Sequence, residues 1–126
     1  MDERISQALE KDRTIDISTR GRKTGADRRI EIWFHNLDGR LYITGTPGAR
    51  DWYANLVADA EFTFHLKQSV KADIPALASP ITAPDERRSV FLGVFAKLSG
   101  ERNLEEWMAA SPLVEVELEV DRAVLV

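Results

Sequence analysis

Residues 20–29 carry five cations, Arg20, Arg22, Lys23, Arg28 and Arg29, against one acid, Asp27. The middle of this run, Gly21-Arg22-Lys23-Thr24-Gly25-Ala26-Asp27-Arg28, is a glycine-bracketed turn that offers backbone N–H groups, the Thr24 hydroxyl and guanidinium and ammonium donors. That donor set cradles a phosphate or a carboxylate. The same composition also describes a solvated basic hairpin turn. A nucleoside-triphosphatase loop is excluded on two counts. The spacing is Gly-x-x-x-Gly without the following Gly-Lys-Ser/Thr, and the segment joins two strands where such a loop feeds a helix. The whole chain carries a net charge of −4. A cation cluster in an acidic protein points to one anionic ligand and not to a nucleic-acid track.

A second candidate is the loop Thr44-Gly45-Thr46-Pro47-Gly48, whose glycines would let the backbone approach a ring or a sugar closely, or would simply make a turn. Four residues on, Trp52-Tyr53-Ala54-Asn55-Leu56 puts Trp52 and Leu56 on one helix face with Tyr53 beside them. Aromatics at this spacing serve a core or a cofactor pocket, and Asn55 is placed to cap or brace the loop before it. His35 and His65 fall on the polar parity of their strands and are expected at the surface or an interface. Glu115, Glu117 and Glu119 read as a solvated strand face. The chain has no cysteine, which excludes disulfides, thiolate metal sites and cysteine nucleophiles. With two histidines and no HExxH pattern, no metal site is expected. No Ser-His-Asp set with supporting context and no carboxylate pair stands out for acid–base work.

The elements that must hold these residues follow from periodicity. At 126 residues, 44% hydrophobic and 30% charged, the chain is expected to be one domain, residues 1–126. Residues 2–12 predict a helix with Ile5, Ala8 and Leu9 on one face. Strands are predicted at 14–19, 28–35, 41–46, 61–68 and 113–121, with Ile15/Ile17, Ile30/Ile32/Phe34 and Phe62/Phe64/Leu66 facing inward. Asn36-Leu37-Asp38-Gly39 is a hairpin turn. Asp51 is expected to cap a helix over 52–58. Residues 70–82 are extended, and Pro75 and Pro80 predict an edge strand. Pro84 opens a helix over 84–98, stopped by Gly100, and a short helix follows at 103–110. The class is mainly β with short helices, and the meander-like spacing favours a six-stranded antiparallel barrel over a doubly wound sheet.

Taken together, Gly21-Arg22-Lys23-Thr24-Gly25-x-x-Arg28, the strand–turn–strand, the small-residue loop and Trp52-Tyr53-x-Asn55-Leu56 resemble the deazaflavin-dependent nitroreductase family. These are split β-barrels related in fold to the pyridoxamine 5′-phosphate oxidases and FMN-binding barrels. The resemblance is specific over residues 14–68 and looser beyond. It implies that Arg22, Lys23, Thr24 and Arg28 hold the phosphate and acidic tail of coenzyme F420. It also implies that Thr44, Gly45, Thr46, Pro47 and Gly48 lie against the ring and ribityl chain, with Trp52, Tyr53, Asn55 and Leu56 packed behind. The chain departs from the family at Glu31-Ile32, where a proline and leucine are usual, and at Thr46-Pro47-Gly48, where a serine and paired glycines are common. Its C-terminal third has no tyrosine.

The function so implied is hydride transfer between F420, or alternatively FMN, and an electron-poor acceptor such as a quinone, nitro compound or activated alkene. The competing class is a non-catalytic split barrel that binds FMN, haem or another small molecule. Barrels of this kind often dimerise, so a homodimer is expected. Trp33, Phe95 and Trp107 could line an acceptor pocket, although core packing suits at least two of them better. No apolar run reaches a membrane span, and Met1 to Ser6 lacks a basic-then-apolar leader, so the expected address is the cytoplasm.

Overall fold

A computed structural model describes residues 1–126. Strand β1 (Thr14–Arg20) pairs with β2 (Asp27–Leu37) and, on its other side, with β4 (Glu61–Leu66). Strand β2 continues into β3 (Arg40–Thr44), which pairs with β6 (Leu113–Leu118). Strand β5 (Ala72–Pro80) pairs with both β6 and β4 and closes the barrel. All these pairings are antiparallel, and a short β7 (Val124–Leu125) adds to β5. The expected six-stranded barrel is thus the fold.

Alternation on the strands explains the core. Ile15 and Ile17 of β1, Ile43 of β3, Phe64 of β4, Ile74 of β5 and Val114 of β6 are all fully buried. Each such side chain contributes roughly 1.5–3 kcal/mol by leaving water. Phe34 and Phe64 meet edge to face, ring centres 5.3 Å apart. Helix α1 (Glu3–Lys11) adds Ile5, Ala8 and Leu9 to this core. It is capped by Asp2, whose carboxylate accepts the Arg4 N–H at 2.8 Å. Helix α2 (Asp51–Ala58) adds Trp52 and Leu56.

A second core lies outside the barrel. There α3 (Pro84–Ala96) and α4 (Leu104–Ala110) pack Val90, Phe91, Val94 and Trp107 on Tyr42, Ile81 and Leu113. Trp107 stands edge-on to Phe91 and Phe95. Two of the three aromatics considered for an acceptor pocket are therefore packed here. Trp33 is exposed, with the Arg13 guanidinium 5.0 Å from its ring centre.

Several expectations are corrected. Strand β5 is not an edge. The Pro75 carbonyl accepts from Glu119 N–H, so its donorless nitrogen points to the same side, into the gap between β7, which ends its pairing at Asp73, and β6, which begins at Ala76. The ladder loses no bond. Asp51 begins α2 instead of capping it; Arg50 precedes the helix and its side chain makes no cap bond. Strand β6 ends at Leu118, and a 3-10 turn, Val120–Arg122, takes up the end of the predicted strand. Ile30 is exposed, because residues 27–33 of β2 pair only with β1 while β3 begins its pairing at Phe34.

Both histidines are buried. His35 shares the outer face of β2 with Leu37, which packs under Gly93 of α3, and burial pushes its imidazole down to about 4, helped by Arg13 and Lys97. His65 is held between two outer-face side chains described below. No helix is long and apolar enough to cross a membrane.

Candidate functional site

The turn between β1 and β2 is built to keep donors outward. Gly21 and Ala26 close it through an N–H to carbonyl bond at 2.8 Å, and Gly25 N–H bonds back to Gly21 at 2.8 Å. A Cβ on Gly21 would sit 2.9 Å from the Ala26 carbonyl, and Gly25 has a φ of 76°, so each glycine is required for a separate reason. The Thr24 hydroxyl accepts from Ala26 N–H at 3.2 Å and braces the bend. The Lys23 and Thr24 N–H groups have no acceptor within the chain.

Asn55 of α2 is the anchor of this turn. Only 3% exposed, its Oδ1 accepts the Arg22 N–H at 3.1 Å and Arg22 Nη1 at 2.9 Å, while Nδ2 donates to Thr19 Oγ1 at 3.3 Å. It braces the basic turn, not the loop that precedes it in sequence. Arg22 also reaches Asp51 at 3.4 Å. Gly21, Arg22, Lys23, Thr24, Arg28, Asp51 and Asn55 together line a recess of about 100 Å³. Lys23 and Arg28 are exposed and make no ion pair, so two positive charges face this recess uncommitted.

The second loop lies on the other side of the α2 N-terminus. It is folded around Arg50, whose guanidinium donates to Thr46 Oγ1 at 2.8 Å and to the Thr46 and Ala49 carbonyls at 3.0 Å. Gly48, at φ 133°, lets Arg50 pass: a Cβ there would sit 2.9 Å from its Nη1. Gly45 faces Arg50 and Pro112, Pro47 is half-buried, and the buried Thr44 hydroxyl donates to the Pro112 carbonyl at 2.5 Å.

Beside this loop is a cavity of about 540 Å³ between α2 and the end of α4, with Tyr53, Met108, Ala109 and Pro112 on its apolar wall and Arg50 at its rim. Of the loop candidates Gly48 reaches it. Thr44 and Trp52 line neither recess; Trp52 is 7% exposed within the barrel core.

Two arginines that sequence reading passed over shape this side. Arg50 sets the loop. Arg87 of α3 fans five hydrogen bonds of 2.8–3.2 Å into the carbonyls of Ile81, Trp107, Met108 and Ser111, fixing the cavity wall. An isolated arginine in a helix carries no signal of such a role. Arg50, directly after a glycine loop and before a helix, carries a weak one.

The barrel thus sets a basic turn and a glycine loop on either side of the α2 N-terminus. A family model described as F420H(2)-dependent quinone reductase matches residues 1–103 of the chain. The chain belongs to that family, and so is an oxidoreductase whose coenzyme is the deazaflavin F420. Among solved structures, an F420 reductase superposes with a TM-score of 0.71 at 15% identity, covering 94% of each chain. A Listeria innocua protein described as a candidate pyridoxamine 5′-phosphate oxidase gives 0.72 at 10% identity, covering 98% of this chain and 96% of that one. An FAD- and haem-binding protein of Mycobacterium smegmatis gives 0.70 at 17% identity, over 98% and 69%. At these identities the likeness is one of fold. No curated protein matches the sequence.

The residues fit the coenzyme. An acidic tail needs cationic donors without internal partners, and the turn supplies Lys23, Arg28 and two free N–H groups beside a glycine that admits no side chain.

Proposed function

We propose that this protein is a reductase in which the turn at Gly21–Arg28 holds the phosphate and acidic tail of F420. In this reading the Thr46–Arg50 loop carries the ring, and an electron-poor acceptor, a quinone, nitro compound or activated alkene, enters the cavity beside Tyr53 and Met108. The observation that carries this reading is the uncommitted pair Lys23 and Arg28 at a recess whose backbone is fixed by a buried amide, Asn55. When bound, the deazaflavin supplies hydride chemistry. The chain's own work is binding and orientation. Arg22, tethered by Asn55, neutralises Asp51, the one carboxylate at the recess, which would otherwise repel an anion. Arg50 holds the loop backbone in one shape, and the apolar wall at Met108, Ala109 and Pro112 favours a flat, weakly hydrated acceptor.

The test follows oxidation of the reduced coenzyme by quinones, nitroaromatics and activated alkenes. Turnover with one class, weakened by Tyr53→Ala, supports the reading. Tight coenzyme binding with no turnover of any of the three would overturn this choice of acceptor and call for one of another class.

We also propose a cytoplasmic homodimer. The support for the dimer is the edge of β2, where residues 27–33 lack a second neighbouring strand and Ile30 and Trp33 are exposed. Light scattering should give twice the chain mass, falling to the single chain mass in Ile30→Glu. A monomeric parent protein would remove this part of the proposal.

A further inference from the structure

Across the outer face of β1, β4 and β5, three side chains form one hydrogen-bonded string. Ser18 Oγ lies 2.7 Å from His65 Nε2, and His65 Nδ1 lies 2.7 Å from Asp73 Oδ1. An ionised carboxylate only accepts, so in the neutral imidazole the Asp73 contact places the proton on Nδ1 and leaves Nε2 to accept from the Ser18 hydroxyl. The barrel register produces this alignment. His65 faces Asp73 across the β4–β5 ladder and Asp16 across the β1–β4 ladder, and Ser18 is the next outward residue of β1 after Asp16. Asp16, the other carboxylate beside the ring, is committed to Arg29 at 2.9 Å and Lys67 at 2.6 Å. Asp73 is therefore the imidazole's partner. The ring is 6% exposed and fixed at both nitrogens.

Ser18 also lines a cavity of about 360 Å³, separate from both recesses around α2, whose wall carries Arg20 and Arg122 together with the carboxylates Asp27, Asp59, Glu61 and Glu119, Asp27 standing opposite Arg20 in the β1–β2 ladder. That volume suits a small molecule. Arg122 is paired with Glu119, whereas Arg20, two residues from Ser18 on the same outward parity of β1, makes no ion pair. A serine, a histidine in the matching tautomer and an aspartate in this order are the parts of a nucleophilic triad, which is recognised by geometry and not by sequence spacing.

We propose that Ser18, His65 and Asp73 form a second site that hydrolyses small esters. Ser18 Oγ adds to the ester carbonyl carbon while its proton passes to His65 Nε2. The bond to the alcohol oxygen then breaks, and the departing alcohol takes that proton. Water attacks the acyl-serine, giving one proton to His65. The Ser18–acyl bond breaks, the carboxylic acid leaves and the proton returns to Ser18. Arg20 is the donor for the developing oxyanion, because the Ser18 backbone lies within the sheet ladders and offers no oxyanion hole of its own. Asp73 is a positioning residue that holds the tautomer.

The experiment treats the full chain with an alkyl fluorophosphonate and maps the adduct by peptide mass spectrometry. In parallel it measures p-nitrophenyl acetate hydrolysis by the parent, Ser18→Ala and Asp73→Asn. The expected result is an adduct on Ser18, hydrolysis lowered about a hundredfold or more in Ser18→Ala, and kcat lowered about tenfold or more in Asp73→Asn with KM little changed. No adduct on the parent, an adduct elsewhere, or equal hydrolysis by a folded Ser18→Ala would overturn the proposal. The mapping on the parent decides alone if either variant fails to fold.

Discussion

Asn55 and Lys23 sit at the same recess and are expected to fail in different ways when removed. Asn55 is buried and holds both the Arg22 backbone and its guanidinium. Asn55→Ala leaves the Arg22 N–H and the Thr19 hydroxyl short of a partner, at a cost of about 1–3 kcal/mol. Both the melting temperature and coenzyme affinity should fall. Lys23 is exposed with no partner, so Lys23→Ala should lower affinity alone. Thermal melting with coenzyme titration on the two variants separates these outcomes; an Asn55→Ala protein as stable as its parent would refute the bracing role. The basic turn was legible in sequence because glycine and cation types are themselves the signal. The Asn55–Arg22 contact was not, since it joins residues 33 positions apart through a pairing that only the closed barrel creates.

At the scale of elements, Arg87 links α3, α4 and the segments that follow β5 and α4. Its five bonds end on four carbonyls. Lysine keeps the charge but cannot span them, so Arg87→Lys should cost about 2 kcal/mol or more, a drop of several degrees in melting temperature. A variant melting with its parent would show that the α4 end is held by other contacts.

The strands themselves were largely readable, because Ile15/Ile17 and Phe62/Phe64/Leu66 alternate cleanly and are buried as expected. Two readings failed for a common reason, that parity reports the face of a strand and not what covers that face, and a third, at Pro75, failed for another. His35 and His65 lie on the outer face of the barrel and are nonetheless buried. Ile30 points with the core residues and is exposed because its strand runs past its second neighbour. Pro75 suggested an edge, yet a bent strand that changes partners has an interior position where no donor is needed.

For the whole molecule, His35 sets a pH response. Its folded pKa of about 4 lies below the ordinary 6.5, so the unfolded chain binds the extra proton between those values. Stability is therefore full above about pH 6.5, declines as pH falls through this window, and has lost up to about 3 kcal/mol near pH 4. Asp16, held below the usual carboxylate range by Lys67 and Arg29 against the opposing effect of its burial, adds a further loss only at lower pH. Denaturant melts from pH 7 to 4 should show this slope, and His35→Phe should flatten it; an unchanged slope would assign the effect elsewhere.

The proposed role of the turn at Gly21–Arg28 is to bind the acidic end of the coenzyme. Each charge-assisted hydrogen bond to the coenzyme there would contribute roughly 1.5–3 kcal/mol, and about 1.4 kcal/mol is a factor of ten in affinity. The direct measurement is a fluorescence titration of F420 into the parent, Lys23→Ala and Arg28→Ala at low and high salt, with the free proteins melted alongside. The expected result is a Kd raised about ten- to a hundredfold in each variant, affinity falling with salt, and melting temperatures that stay together. Both variants binding as tightly as the parent at low salt would contradict it and leave the turn a solvated hairpin.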